Sequence, residues 1–424
     1  MTTRRTTQSA FHKTTLANGL RVITETLPAV RSVSLGVWID VGSRNESDIE
    51  NGVSHLIEHM VFKGTRRRSA RQIASSLESL GGSLNGWTSR EQTCYTARVL
   101  DEYLPEAVDV LADIACNPSM TAHNLSREKT VIIEEIKESL DNPVDKLFDE
   151  FARTYWGAHP LGNPIMGSET TIGSMSRRRM LDYYRRNYQA GSVVLAASGA
   201  VSHRKLVNLA REKFSFVPGE SPKAPDARRA AQRQVDVIRD KGSQTHVCIG
   251  YTGVPYGSLD RMPITALATH LGGGMSSVLF QKIREERGLA YSVYTFHDFY
   301  RDSGILGTYL ATDGRYLSKA MEIIRREVAK VRRNRLSKMR LDQVKAQLKG
   351  QIILGMESTY NRMSRIARLE LMCGRYVSIR DTLKAIDEVT SSDILRVADR
   401  VFDNGNMAVT VLGPVKKDVL KDVV

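Results

Sequence analysis

Ile172-Gly-Ser-Met-Ser-Arg-Arg-Arg-Met-Leu-Asp-Tyr-Tyr184 is followed by Val193-Val194-Leu195 and Gly199. Its counterpart is Ile386-Asp-Glu-Val-Thr-Ser-Ser-Asp-Ile-Leu-Arg-Val-Ala398, followed by Met407-Ala408-Val409 and Gly413. In both stretches a Ser or Thr (Ser176, Thr390) stands where it can cap an amphipathic helix, and a short apolar strand comes next. The offset is 214 residues, about half of a 424-residue chain. That period is too long for a solenoid and argues for two domains of one fold. Between them, Pro218-Gly-Glu-Ser-Pro-Lys-Ala-Pro-Asp226 has the composition of a linker. The expected division is a first domain over 1–217, a linker over 218–234 and a homologous second domain over 235–424.

Each half reads as strands, then helices, then a final strand. Expected strands include Ser32 to Asp40, Gln92 to Arg98, His246 to Tyr251 and Ile305 to Thr312. Helical periodicity covers Leu104 to Cys116, Ser126 to Leu140, Leu317 to Arg333 and Ser337 to Met356. Strand-rich segments mixed with long helices predict an α+β fold, each domain a mostly antiparallel sheet covered by helices.

Composition narrows the function. The chain is 41% hydrophobic and 25% charged, ordinary for a globular protein, and it has no apolar run of about 18 residues, so no membrane insertion is expected. The N-terminus, MTTRRTTQSAFHKTTLANGL, is basic and Thr-rich but lacks the apolar core of a secretory signal. Cys94, Cys116, Cys248 and Cys373 form no CxxC pair, which suits free thiols in a reducing compartment. A cytoplasmic protein of bacterial type is expected, with an organelle matrix as the second choice. The formal charge of +14 raises nucleic acid as a partner. The basic residues, however, fill the solvated faces of helices such as Arg325 to Arg333, and no reader motif accompanies them, so no nucleic-acid partner is expected.

The chemistry lies in Gly52-Val-Ser-His-Leu-Ile-Glu-His-Met60. His55 and His59 are i and i+4, on one helix face, with Glu58 beside them. Converging imidazoles suit Zn²⁺, and an adjacent carboxylate can take a proton from a water. The order HxxEH is the reverse of HExxH and marks its own class of metallopeptidase. A third ligand is expected from Arg127-Glu-Lys-Thr-Val-Ile-Ile-Glu-Glu-Ile136. There Glu128 and Glu135 share a stripe with Val131, Ile132 and Ile136, where an acid is costly unless paired or bound to metal. Glu134 lies about 100° away and reads as solvated. Glu135 is therefore the expected ligand, and Glu128 the group that orients a ligand histidine. In the second half, Ala266 and His270 stand where His55 and His59 do, with Lys349 near the position of Glu135. This predicts one zinc per chain.

These residues resemble the pitrilysin/insulinase-like zinc peptidases, and most closely the branch of mitochondrial processing peptidase and its bacterial relatives. The resemblance covers nearly the whole chain. It is carried by Gly42 to Glu46, Gly52 to Thr65, Asn85-Gly-Trp-Thr88, Glu128 to Glu135, Gly272 to Ser277 and Arg284 to Tyr291. It implies His55, His59 and Glu135 as zinc ligands and Glu58 as general base, with Glu128 as an additional acid behind the site. It also implies that Asn85 and its strand bind the main chain of peptide substrates. Gly86 stands where many relatives have Ala, a departure expected to matter little. Arg284 and Tyr291 would contact substrate carbonyls and the oxyanion. The two domains would form half of a clamshell chamber, with Arg284 and Tyr291 serving a partner's zinc in a homodimer, or in a heterodimer as the alternative. The rival reading is a catalytically silent scaffold subunit of the same family, against which the intact motifs argue.

Overall fold

The computed structural model describes residues 10–227 and 233–415. Two compact units are present, each built from three stretches of chain. The first unit holds a six-stranded sheet of β1 (Ala10–Thr15), β2 (Arg21–Thr26), β3 (Ser32–Ile39), β4 (Ser83–Thr88), β5 (Thr93–Leu100) and β6 (Val193–Gly199). Its order is β1-β2-β6-β3-β5-β4. The second unit holds β7 (Gln234–Arg239), β8 (Thr245–Thr252), β9 (Ala290–Phe299), β10 (Gly304–Thr312) and β11 (Met407–Gly413), in the order β7-β11-β8-β10-β9. Without β1 the two orders are identical. Each sheet has one parallel pair, β2 with β6 and β7 with β11, and is otherwise antiparallel. The repeat read from the sequence is thus a repeat of topology, and the expected α+β class is the observed one. Ser176 and Thr390 both cap their helices, each accepting a backbone N–H three residues on.

Strands β3 and β6 are buried along nearly their whole length, because both faces of the sheet are covered. On one face Val33, Leu35, Val37 and Ile39 meet the helices Val53–Val61 and Leu104–Cys116. On the other, Ile23, Trp38, Cys94 and Val194 meet Met363, Ile366, Ala367 and Leu371 of the helix Thr359–Cys373. That helix comes from the second half of the sequence. In the second unit the matching face, with Cys248, Tyr309, Ala408 and Leu412, is covered by Leu147, Phe151 and Tyr155 of Pro143–Trp156, from the first half. The halves exchange one helix, so a boundary drawn along the chain at 218–234 leaves out residues 138–162 and 355–376, which belong to the opposite units. The exchanged helix of the first unit is fixed by packing and by charge. Trp38 is fully buried with its Nε1 3.1 Å from Met363 Sδ, and truncating such a side chain costs about 3–5 kcal/mol. Buried Glu370 accepts from Lys13 at 2.7 Å and Arg21 at 3.3 Å, and buried Glu25 from Arg362 at 3.0 Å.

Candidate metal centre

The helix Val53–Val61 begins at Gly52, whose φ of +91° is left-handed. A Cβ there would lie 2.5 Å from the Met166 carbonyl oxygen, so only glycine fits. The first N–H groups of a helix need acceptors, and Glu46 supplies them. It is buried, with Oε2 accepting from Gly52 N and Oε1 from Ser54 N, both at 2.8 Å. Burial pushes its carboxyl up to about 7, against the pull of these donors. Leu56, Ile57 and Met60 bury the inner face of the helix, which leaves His55, Glu58 and His59 together on another.

These three side chains meet the helix Ala122–Asp141. Glu135 Oε2 lies 3.9 Å from His55 Nε2 and 3.6 Å from His59 Nε2. One donor atom from each of the three residues lies within 4.8 Å of the others. Tetrahedral zinc bonds of about 2.0–2.2 Å place donors roughly 3.3 Å apart, so shifts of about 0.3 to 1.5 Å between donor atoms would close such a site. The donor set therefore fits a zinc ion, with two nitrogens and one carboxylate, which leaves one position of a tetrahedron for a fourth ligand. Burial and the neighbouring His59 push His55 down to about 4. Its imidazole is thus neutral near pH 7, as a metal ligand must be. Glu135 is 43% exposed and Val131 about half exposed, whereas Glu128, Ile132 and Ile136 of the same stripe are buried, so Glu135 sits at the edge of the stripe. Glu134 is exposed and receives Lys137 Nζ, as expected.

Glu58 is largely buried, with Oε2 3.9 Å from His55 Nε2. Burial raises its carboxyl, with Glu135 adding in the same direction. The Thr88 hydroxyl donates to Oε2 at 3.2 Å, and a Cβ on Gly86 would come 3.0 Å from Oε1 and 2.9 Å from the Phe62 ring. Both residues lie on β4, an edge strand with no partner beyond it among the described residues. Asn85, between Leu84 and Gly86 on that strand, is exposed, and its Oδ1 accepts from Gly86 N at 2.8 Å. Glu128 is buried, with Oε2 3.3 Å from His59 Nδ1 and Oε1 3.0 Å from Lys63 Nζ. Thr88, Lys63 and Glu46 were not singled out by sequence reasoning. Lys63 is four residues after His59, and that helical spacing was the available signal.

Arg284 and Tyr291 lie in the second unit. Arg284 is the penultimate residue of a π-helical turn, Phe280–Glu285, and donates through Nη1 to the Tyr291 carbonyl at 2.9 Å. Its guanidinium lies between the Phe280 and Tyr291 rings, 4.8 and 4.7 Å from their centroids. Tyr291, on edge strand β9, is 75% exposed.

The second unit also shows what the fold does without the cluster. His270 stands 211 residues after His59, and its Nδ1 receives Arg340 Nε at 3.1 Å. Arg340 is 212 residues after Glu128, so a cation occupies the carboxylate's place. The same offset puts Gln347 at the position of Glu135, two residues before the expected Lys349, and Gln347 donates to the Gly273 carbonyl. Among the described residues the first unit has the one group of three or more potential ligands.

Residues 21–169 match the sequence model described as Insulinase (Peptidase family M16), and residues 174–348 match that described as Peptidase M16 inactive domain. An "uncharacterized zinc protease" of Streptomyces coelicolor is 39% identical over 95% of this chain and 90% of its own. One of Bacillus subtilis is 37% identical over 94% and 97%. The crystal structure of a protease from Helicobacter pylori matches at a TM-score of 0.89 with 22% identity, over 95% of this chain and 99% of that one, a likeness of fold. With both halves matched by models of one family and relatives aligned over nearly their full length, the chain belongs to the insulinase family of peptidases, peptidase family M16.

Proposed function

We propose that the chain is a zinc-dependent endopeptidase that hydrolyses extended or unfolded peptides. The observation that carries this reading is the convergence of His55 Nε2, His59 Nε2 and Glu135 Oε2, with the buried Glu58 carboxylate beside them. The names of the relatives, zinc proteases, support the same metal and reaction. His55, His59 and Glu135 would hold one zinc per chain. When bound, zinc would polarise the scissile carbonyl and acidify a water.

Glu58 takes the proton of the attacking water and returns it to the leaving amine. A carboxylate raised by burial is better matched to that double duty than an exposed one. Thr88 holds one of its oxygens, and Glu128 orients His59 through Nδ1. Substrate main chain adds to the open edge of β4 near Asn85, a mode that requires extended peptides. Arg284 binds substrate carbonyls, and the Tyr291 hydroxyl donates to the oxyanion. Both serve the site of a second copy in a homodimer with two composite sites, a reading that rests on the family resemblance and on the exposure of Tyr291. The complete donor set and its base favour this peptidase over a silent scaffold.

The test is zinc content and cleavage of a quenched unstructured peptide by wild type and Glu58→Gln. One zinc in each, with activity only in wild type, is expected, a loss of about 10²–10⁴-fold. A metal-replete wild type without zinc would sink the ligand assignment.

A further inference from the structure

We infer that Lys63 is a positioning residue of the metal centre, acting through Glu128 on His59. The inference rests on the reading of His59 as a zinc ligand. Lys63 follows the site helix and is tied to the helix Ala122–Asp141 at two points. Its carbonyl accepts from Asn124 Nδ2 at 2.9 Å, and its ammonium lies 3.0 Å from Glu128 Oε1. The other oxygen of Glu128 faces His59 Nδ1 at 3.3 Å. The carboxylate is 7% exposed and thus needs a partner of opposite charge. A carboxylate held at both oxygens has one orientation, which fixes the ring it faces and turns His59 Nε2 toward Glu135.

The second unit supplies an internal comparison. At the position of Glu128 it has Arg340, and 211 residues after Lys63 it has Gly274. Where the carboxylate becomes a cation, the lysine is gone. Neither member of the pair is present there, as expected if the lysine exists to serve the carboxylate. Packing alone does not call for a lysine here, since the Lys63 side chain is about one third exposed.

The test is the zinc dissociation constant of the full chain, measured by competition with a chromophoric chelator. The variants are Lys63→Met, Lys63→Arg, Glu128→Gln and the double variant Lys63→Met/Glu128→Gln. Glu128→Gln is expected to weaken zinc about 10–100-fold, the usual range for an outer-shell partner. Lys63→Met is expected to weaken it about tenfold and to lower kcat with little change in KM, and Lys63→Arg to restore both within roughly threefold. The double variant should bind no more weakly than Glu128→Gln alone, because Lys63 acts through that carboxylate. Lys63→Met binding zinc as wild type does, or a double variant showing the product of the single losses, overturns the proposal. If His59→Ala binds zinc as tightly as wild type, the metal centre itself is wrong and the proposal falls with it. Metal-free melting of each variant separates these losses from unfolding, and Lys63→Gln serves where Lys63→Met fails to fold.

Discussion

Replacing Gly52 with Ala should damage the start of the site helix by an amount the geometry fixes. The residue sits at φ +91°, and a left-handed conformation costs an L-residue about 1–2 kcal/mol. The new Cβ would lie 2.5 Å from the Met166 carbonyl oxygen and 2.9 Å from Gly167 Cα, and backbone does not yield as a side-chain tip does. Parting the two segments adds about 1–3 kcal/mol. The expected loss is thus about 2–5 kcal/mol. Gly81→Ala is the control, since its φ is +71° but nothing lies within 4 Å of the added carbon, which isolates the strain. The assay is urea unfolding of the metal-free protein by tryptophan fluorescence in a Trp156→Phe background. Trp156 belongs to the second unit, so the remaining Trp38 and Trp87 report the first. At an m-value of about 2 kcal/mol/M the midpoint should fall by roughly 1–2.5 M for Gly52→Ala and by under about 1 M for Gly81→Ala. Equal shifts in the two variants would refute the steric argument, and no shift in either would refute both.

Two further outcomes follow from the site. His55 is pushed down to about 4 in the folded state, so the native protein binds fewer protons than the unfolded chain between about pH 6.5 and 4. Its contribution to stability is present above pH 6.5 and is lost as pH falls through that window, by about 3 kcal/mol. The metal-free wild type should therefore lose more stability than His55→Gln between pH 7 and pH 4, and parallel curves would refute the assignment. For the composite site, Glu58→Gln and Tyr291→Phe should each be nearly inactive alone. Random pairing on mixing would restore about a quarter of wild-type activity, because one site of each mixed dimer is intact. No recovery after subunit exchange would mean that Tyr291 serves its own chain or no site.

The sequence carried the local features far better than the long-range ones. The helices Leu104–Cys116 and Leu317–Arg333 have the bounds their periodicity predicts. His55, Glu58 and His59 could be placed on one face because i, i+3 and i+4 spacing is a property of the helix alone. Glu135 could be chosen over Glu134 for the same reason. The helix exchange was not legible. The apolar stripe of Thr359–Cys373 shows which face is buried, and is silent on whether Trp38 or Tyr309 receives it. Thr88 and Glu46 were equally hidden, for their roles depend on a strand edge and a helix end that meet only in three dimensions. Lys349 was placed near the position of Glu135 because the repeat offset runs from 211 at His270 to 214 at the final strand; the contact between His270 and Arg340 fixes it at 212 for this helix.

The two units together separate what the fold requires from what the chemistry requires. Without β1 both have the same strand order, and the second reaches it with Ala266, Arg340 and Gln347 where the first has His55, Glu128 and Glu135. None of these polar residues is therefore needed to build the unit. In the first unit they carry a cost. Glu58 and Glu135 repel each other, burial raises Glu58, and His55 gives up its charge. A divalent cation among these carboxylates and neutral imidazoles reverses the sign of that cost, because each group then faces the charge it prefers. Stability that the metal-free unit lacks is then returned in proportion to metal affinity. Residues that only held the fold together would show no such dependence, so the zinc dependence of first-unit stability reads directly how much of this cluster was placed for the metal.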